Sequence, residues 1–590
     1  MIIILAEKFY KKNIESESIK KNKLDKHIAF ISLSRLLLVI ACILIDYLYY
    51  KENHYKGMII STMLCLIIFL VLVFYHSKLL ELKKRGELFI NANEVGLKRI
   101  NGEFKSFEDD GKEFLDEKHE YINDLDIFGK NSLFQYINST VTKGGRELLA
   151  STLSLKKGTN VLEIKEKQEG IKELSNKSVF RQKMYVEGLM KNAQNVDLNE
   201  FIEWTKTKSD FSIIRCLVSL IFIAITVICV YLSTIVILPE SFIILNLLVN
   251  FCAVKILCSG LKKELNMCVN IKGSIHTYGE ILNLIEDESF KSPYIKKIHE
   301  KIKNKNVSCK KEIKSLSNII EWVGNSKNNA YYLILNIIFF CDVFLMFRLY
   351  KWRKDNSPYV EEWVSVVNEI DALNSIANIA FENETWAYPS VLEGKIVEGT
   401  EIGHPLIYKK AVKNNFTLNK KQSVALITGS NMSGKSTFLR TIGINIILSY
   451  IGSPVCAKDF SCGVMKIYTC MRTKDNLEEN ISSFYAEILR IKILIEGCKN
   501  NEKVFFLLDE IFKGTNSVDR HTGASILIKQ LLSYKASGLL STHDLELCDL
   551  ETKDNSDVIN YNFREYYSEN KIKFDYKLRR GKSETRNAIH

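Results

Sequence analysis

The sequence predicts a mixed fold, with membrane helices, a helical core and a C-terminal α/β domain. Apolar runs occur in two pairs, Ile28–Tyr50 with Gly57–Tyr75 and Phe211–Leu232 with Thr234–Lys255. Most other segments before Thr385 carry apolar residues three and four apart, which is the helical spacing. After Thr385, short apolar strands alternate with helical segments, and this order is typical of a parallel sheet.

The composition is that of a large protein from a reducing compartment. Its 590 residues leave room for about three or four domains. The fourteen cysteines form no C-x-x-C pair and several lie in apolar runs, which excludes a disulfide or zinc framework. The net charge of +12 suits contact with nucleic acid or anionic lipid but specifies neither.

The paired apolar runs predict two membrane hairpins, with buried core helices as the alternative. Each run is close to the roughly 20 residues that span a bilayer. Residues 1–27, Lys78–Arg85, Lys206–Lys208 and Lys262–Lys263 are basic, whereas the turn near Pro239 has no Lys or Arg. By the positive-inside rule, we expect a multi-pass protein of the cell membrane whose C-terminal domain is cytoplasmic.

The helical core is predicted in two parts. Residues 1–76 form the basic N-terminus and first hairpin, 77–210 the first part of the core, 211–256 the second hairpin, 257–385 the second part of the core, and 386–590 the C-terminal domain. Trp352 and Trp363 are expected to anchor helix packing.

A fifth apolar run, Tyr331–Leu349, is ambiguous. It is long enough to cross a membrane but carries Asn336, Asp342 and Arg348. One extra crossing would place the C-terminal domain outside the cytoplasm, where nucleotides are scarce. We therefore predict a buried helix of a soluble domain, and a fifth span stays open.

The segment Gly429–Thr437, read GSNMSGKST, fits the phosphate-loop pattern G-x-x-x-x-G-K-[ST]. It follows the strand-like run Ser423–Thr428 and precedes a helical run, the context that the motif requires. Lys435 is placed for the β- and γ-phosphates of ATP, and the Ser436 hydroxyl for Mg²⁺. The predicted phosphate-binding residues are Gly429, Ser430, Asn431, Met432, Ser433, Gly434, Lys435, Ser436 and Thr437.

Two later strands end in residues suited to the same chemistry. The apolar run Glu502–Leu508 ends in Asp509 and Glu510. Asp509 can hold the Mg²⁺ shell, and Glu510 can orient or activate the attacking water. The run Gly538–Ser541 leads to His543, which lies where a γ-phosphate sensor is expected. A lone histidine is otherwise more often structural.

Together these motifs resemble those of MutS-type mismatch repair ATPases. The resemblance rests on the phosphate loop, NISSFYAE (Asn480–Glu487), LLDEIFKGTNSVD (Leu507–Asp519), STHD (Ser541–Asp544), KFDYKLRRGKSETRNAI (Lys573–Ile589) and the core segments Leu125–Leu149 and Glu369–Phe381. It implies a P-loop ABC-type ATPase domain on a lever-like helical core, acting as a homodimer with composite sites.

The resemblance also implies roles for particular residues. Ser482 would reach the partner's nucleotide in trans, as a catalytic residue beside Glu510 and His543. Asp475 and Glu487 match acidic positions whose roles are less defined. Gly514 and Thr515 match the turn after the acidic pair, and an aromatic that stacks on adenine is expected near Phe416 without being assigned.

The departures from the family concern DNA. The mismatch-reading N-terminal domain is replaced by apolar runs, the DNA clamp by the second hairpin, and the C-terminal helix–turn–helix looks short or missing. The sequence favours a membrane-anchored MutS-like ATPase, with DNA contact through basic core residues left open. The alternative is a mechanical ATPase that acts on a protein or lipid partner. A transporter and a nucleotide-locked scaffold are less favoured.

Overall fold

The computed structural model describes most of the chain, namely residues 5–156, 158–190, 197–207, 211–235, 237–259, 262–304, 307–326, 330–394, 396–472, 483–553, 557–568 and 571–583. Ser482 and Asp475, two residues singled out by the family resemblance, lie outside the described residues.

Helices make up most of the described residues before Thr385. They are α1 (Leu5–Lys51), α2 (Tyr55–Ile100), α3 (Leu133–Ile137), α4 (Lys143–Leu153), α5 (Val161–Asn176), α6 (Ser178–Met190), α7 (Asn199–Lys206), α8 (Ile213–Thr234), α9 (Ser241–Leu257), α10 (Lys262–Asp287), α11 (Pro293–Glu300), α12 (Cys309–Ser326), α13 (Ala330–Phe339) and α14 (Cys341–Glu382). A short pair of strands, β1 (Lys303–Asn304) and β2 (Val307–Ser308), precedes α12. Trp352 and Trp363 are buried in this core, which confirms them as packing anchors.

The first apolar hairpin consists of α1 and α2, and both helices continue well beyond the apolar runs. The basic N-terminal residues belong to α1, and the predicted boundary after residue 76 falls inside α2. Polar side chains pair across the hairpin. Asp46 accepts hydrogen bonds from Ser61 and Thr62, and Arg35 contacts His76.

The second apolar hairpin consists of α8 and α9, joined through Pro239. Within the described residues, α1, α2 and α8 are long and apolar enough to cross a membrane by length and composition, and α9 is a shorter apolar helix. The apolar side chains of these helices are largely exposed. The predicted apolar runs thus fold as helical hairpins, and their place in a membrane stays a prediction.

The run Tyr331–Leu349 is not one helix, so the expectation of a single buried helix is wrong. It bends at Phe340, whose φ of 51° is left-handed. The Asn336 side chain accepts the backbone N–H of Asp342 at 3.0 Å and so takes over a helical hydrogen bond at the bend. The first half, α13, leaves Ile334 and Phe339 exposed, whereas the start of α14 is buried.

The C-terminal domain contains most of the strands in the described part of the chain. Its strands are β3 (Ser390–Val391), β4 (Val397–Ile402), β5 (Asn414–Leu418), β6 (Val424–Thr428), β7 (Asp459–Cys462), β8 (Lys466–Cys470), β9 (Val504–Asp509), β10 (Ser537–Thr542), β11 (Val558–Asn562), β12 (Glu565–Ser568), β13 (Lys571–Phe574) and β14 (Arg579–Arg580), and its helices are α15 (Lys435–Tyr450), α16 (Ser483–Lys499), α17 (Ser517–Ser533) and α18 (Leu550–Lys553). Six of these strands form the main sheet in the order β14-β11-β6-β10-β9-β8, and all of them but β14 run parallel, as predicted. Four others form a second, mixed sheet in the order β3-β7-β4-β5, and β12 pairs with β13 in an antiparallel hairpin.

The sheet register brings three strand ends to one edge. Thr428 of β6 pairs with Thr542 of β10, and Ser541 of β10 pairs with Asp509 of β9. Because parallel strands present their carboxyl ends at the same edge, the residues that follow them meet there. Helix α15 packs between this sheet and the helical core, where a Cβ on Gly443 would lie 2.7 Å from Leu125 and 2.8 Å from Leu507.

Candidate functional site

The predicted strand–loop–helix order is confirmed. The loop leaves β6 after Thr428 and enters α15 at Lys435. Gly429 and Gly434 have φ values of 146° and 106°, a region that side chains other than glycine rarely adopt. A Cβ on Gly429 would lie 2.8 Å from the carbonyl oxygen of Phe563, so this close turn requires glycine.

Lys435 turns back into the loop that precedes it. Its Nζ donates to the carbonyl oxygens of Gly429 and Ser430, each at 3.0 Å, and lies 3.5 Å from Oε1 of Glu510. The side chain is buried, and this burial lowers the pKa of the ammonium group. An ammonium held next to the free N–H groups of a helix start forms a site for anions.

The acidic pair lies at the end of β9, beside this lysine. Asp509 is buried and accepts a hydrogen bond from the Ser541 hydroxyl. Glu510 has φ 52° and turns away from the strand, so that its Oε1 lies 2.9 Å from Nε2 of His543. This hydrogen bond from His543 is the main cause that lowers the pKa of Glu510 to about 2. Glu510 is therefore a carboxylate at neutral pH.

His543 connects the acidic pair to the loop. Its Nε2 lies 2.8 Å from Oδ1 of Asn431 and 3.3 Å from Nζ of Lys435. The structure therefore brings together Lys435, Glu510, His543 and Asn431. The family pattern contains Asn431 only as one loop residue among several, and its contact with His543 becomes visible only in the fold.

The remaining loop residues differ in their surroundings. Ser433 is buried, and its hydroxyl has no hydrogen-bond partner among the described residues. The Ser430 hydroxyl donates to Glu565 at 2.6 Å, and Met432 is 85% exposed. Ser436 and Thr437 lie in the first turn of α15, half-buried and exposed respectively.

The turn after the acidic pair is held by Glu487, whose role the family resemblance left undefined. Its carboxylate accepts the backbone N–H of Phe512, and its burial raises its pKa. Gly514 lies against Phe484, where a Cβ would come within 2.8 Å of the phenylalanine side chain, and the Thr515 N–H donates to the Phe512 carbonyl oxygen at 3.4 Å. Glu487 therefore positions the segment that follows Glu510.

An open cavity of about 280 Å³ adjoins the start of α15. Phe416 cannot stack on a base, because it is 1% exposed and packs edge-on against Phe438, with ring centroids 5.4 Å apart. Tyr576 is 44% exposed and lines the cavity beside Gly434. Sequence reasoning missed Tyr576, and the only signal was its place within the family-like C-terminal segment.

Comparison of the chain with known proteins places the residues of this site within a region that matches a known family. Residues 425–590 match the family model described as MutS domain V, which includes the loop, the acidic pair and His543. This part of the chain is therefore similar to MutS domain V.

The regions of this chain that align with individual relatives are longer than that domain. The DNA mismatch repair protein MutS of Persephonella marina is 34% identical over 232 residues, which is 38% of this chain and 26% of that protein. MutS protein homolog 4 of Mus musculus is 37% identical over 195 residues, which is 31% of this chain and 20% of that protein. The chain is thus similar to MutS-family proteins over about a third of its own length, and it matches about a quarter or less of the length of these relatives.

Proposed function

We propose that the chain binds ATP with Mg²⁺ around Lys435 and hydrolyses it, as a P-loop ATPase of the MutS family. One observation carries the proposal: Lys435, Glu510 and His543 converge at the carboxyl edge of a parallel sheet, within 3.5 Å of one another. The glycine turn and the unpartnered buried hydroxyl of Ser433 fit a phosphate group.

Each residue then has a defined task. Lys435 and the loop N–H groups bind the phosphates, while Ser436 and Asp509 would hold Mg²⁺, which neutralises charge on the transferred phosphoryl group. Glu510, ionised at neutral pH, accepts a hydrogen bond from the attacking water and so orients it. His543 holds Glu510 and Asn431 in place and acts as the sensor that contacts the γ-phosphate. The cavity beside Tyr576 would receive the base.

We further propose a homodimer in which Ser482 of each chain completes the partner's site. This rests on the family resemblance. It predicts that a hydrolysis-deficient variant forms an ATP-dependent dimer.

We also propose that the apolar hairpins hold the protein in the cell membrane, with the C-terminal domain in the cytoplasm. The exposed apolar side chains of α1, α2 and α8 support this, as does the basic residue pattern. Extraction of the chain from membranes by an alkaline salt wash would contradict it.

The proposed ATPase has two candidate partners. The named relatives include DNA mismatch repair proteins, so a repair role with duplex DNA is the first candidate. The second candidate is a protein or lipid partner in the membrane. It is favoured because exposed apolar hairpins interrupt the chain outside the matched domain.

ATP hydrolysis by the purified chain in liposomes tests the site. Lys435→Ala should weaken nucleotide binding at least about tenfold, because the phosphates lose their buried ammonium. Glu510→Gln should lower kcat by about a hundredfold or more while ATP stays bound. Lys421→Ala, at an exposed lysine in the turn before β6, is the matched control. Unchanged hydrolysis in both site variants would contradict the proposed site.

The partner is tested with the same preparation. Homoduplex and heteroduplex DNA are added between about 50 and 200 mM salt, because phosphate contacts weaken steeply over this range. Binding and stimulation at low salt support the first candidate. Full ATPase activity without DNA binding at low salt supports the second.

A further inference from the structure

We propose that α13 and the first turns of α14 form a membrane-embedded elbow. The segment enters the bilayer from the cytoplasmic side beside the second hairpin, contacts lipid through Ile334 and Phe339, and turns back at Phe340. This inference rests on the proposed membrane anchoring. It adds a lipid-contacting element that is neither a fifth span nor a helix of the soluble core.

The first support is the depth at which the bend packs. Helix α13 contacts both α8 and α9. At the bend, Phe340 is fully buried and stacks on Phe222, with ring centroids 5.7 Å apart. Phe222 lies about 14 Å from the start of α8 at 1.5 Å per residue. The bend therefore lies well within the length of the apolar hairpin.

The second support is that the bend satisfies its own polar groups. Asn336 donates to the Asp342 carboxylate at 2.8 Å and accepts the Asp342 backbone N–H at 3.0 Å. The Phe340 N–H donates to the Asn336 carbonyl oxygen at 2.9 Å. Irregular backbone at membrane depth is tolerated only when such groups are paired or buried in protein.

The third support is the exposed surface of α13. The helix reads AYYLILNIIF, and its one amide, Asn336, is buried. Ile334 is 58% exposed and Phe339 is 49% exposed. These side chains continue the exposed apolar surface of α9, on which α13 packs, so the occupant that fits them is the same lipid.

The path of the chain agrees with an entry and a return on one side. The first turn of α12 and the fourth turn of α14 are joined in the helical core, where Trp352 donates to the Glu312 carbonyl oxygen at 2.9 Å. Both ends of the elbow therefore lead back to the core. The C-terminal domain stays on the core's side without an extra crossing.

A depth measurement in liposomes tests the elbow. A fluorescent amino acid is incorporated by codon suppression at residue 334 or 339 of the full chain, and quenching by lipids with doxyl groups in the acyl chain is recorded. Residue 225 of α8 serves as the membrane reference, and residue 526 of α17, which is 60% exposed in the C-terminal domain, as the aqueous reference. ATP hydrolysis reports correct folding.

The expected result is quenching at residues 334 and 339 close to that at 225, and at least about fivefold above that at 526. Quenching at the level of residue 526 would overturn the elbow. Shielding of residue 334 from both lipid quenchers and aqueous iodide would also overturn it, because protein would then cover α13. If quenching at residue 225 is as low as at residue 526, the proposed membrane anchoring is wrong. Failure of the anchoring is thereby distinguished from failure of the elbow alone.

Discussion

The two apolar hairpins are attached to the core in different ways. The first is held by buried polar contacts: Glu382 accepts hydrogen bonds from Arg99 at 2.6 Å and from Tyr10 at 3.0 Å. All three side chains are almost fully buried. The second hairpin is held mainly by apolar packing of Phe340 and its neighbours against α8 and α9.

Both attachments are made to the same helix. α14 begins at the second hairpin and ends at Glu382, directly before the C-terminal domain. At 1.5 Å per residue it is about 63 Å long. Ion pairs require a defined geometry, whereas apolar contacts tolerate small shifts. The comparison therefore indicates that the first hairpin is fixed rigidly at the domain end of α14, and that the second has more freedom at the far end.

The largest expected effect comes from breaking the polar attachment. Glu382→Ala leaves the Arg99 guanidinium buried without its carboxylate, and we expect a loss of about 3 to 5 kcal/mol in the free energy of unfolding. Denaturation in detergent measures this. Asp287→Ala, which removes an exposed ion pair with Lys310, is the control and should change little. Equal losses in both variants would contradict a localised polar attachment.

At the bend between α13 and α14, which packs against the second hairpin, two substitutions of Phe340 should rank in an unusual order of stability. Phe340→Gly loses a buried ring but relieves the positive φ, so we expect a net loss of about 2 to 3 kcal/mol. Phe340→Ala keeps the strain and should be worse by about 1 kcal/mol. Ile526→Ala, at an exposed apolar residue of α17, is the control. An alanine variant more stable than the glycine variant would show that the strain is absent.

Close packing within the first hairpin is tested by a pair of glycines on α2. A Cβ at Gly96 would lie 2.4 Å from the Tyr10 ring, whereas nothing lies within 4 Å at Gly86. Gly96→Ala should cost about 1 to 3 kcal/mol by overpacking, and less in a Tyr10→Ala background. Gly86→Ala should instead stabilise the helix slightly. Similar thermal shifts for both would mean that α1 does not approach α2 closely at Gly96.

The smallest effect is expected at the surface of the first hairpin. Lys83 and Asp25 join α2 and α1 at 2.6 Å, but both side chains are substantially exposed to solvent. Asp25→Asn should leave the melting temperature unchanged within error. A shift in melting temperature as large as that of Glu382→Ala would mean that the contacts holding the first hairpin are distributed along its whole length.

The sequence by itself determined the local features. The strand before Gly429, the helix that begins at Lys435 and the place of Asp509 at a strand end were predicted correctly, because each depends on neighbouring residues and on strand or helix periodicity. The apolar runs that form α1, α2, α8 and α9 were likewise visible from composition.

Only the tertiary structure decided which distant groups meet. The contact of His543 with Asn431, the place of Tyr576, the pairing of Arg99 with Glu382 and the bend at Phe340 could not be read locally. The physical reason is that hydrophobic spacing specifies an element but not its neighbours. A buried charge or a left-handed residue is tolerated only where the surrounding fold supplies the partner that stabilises it.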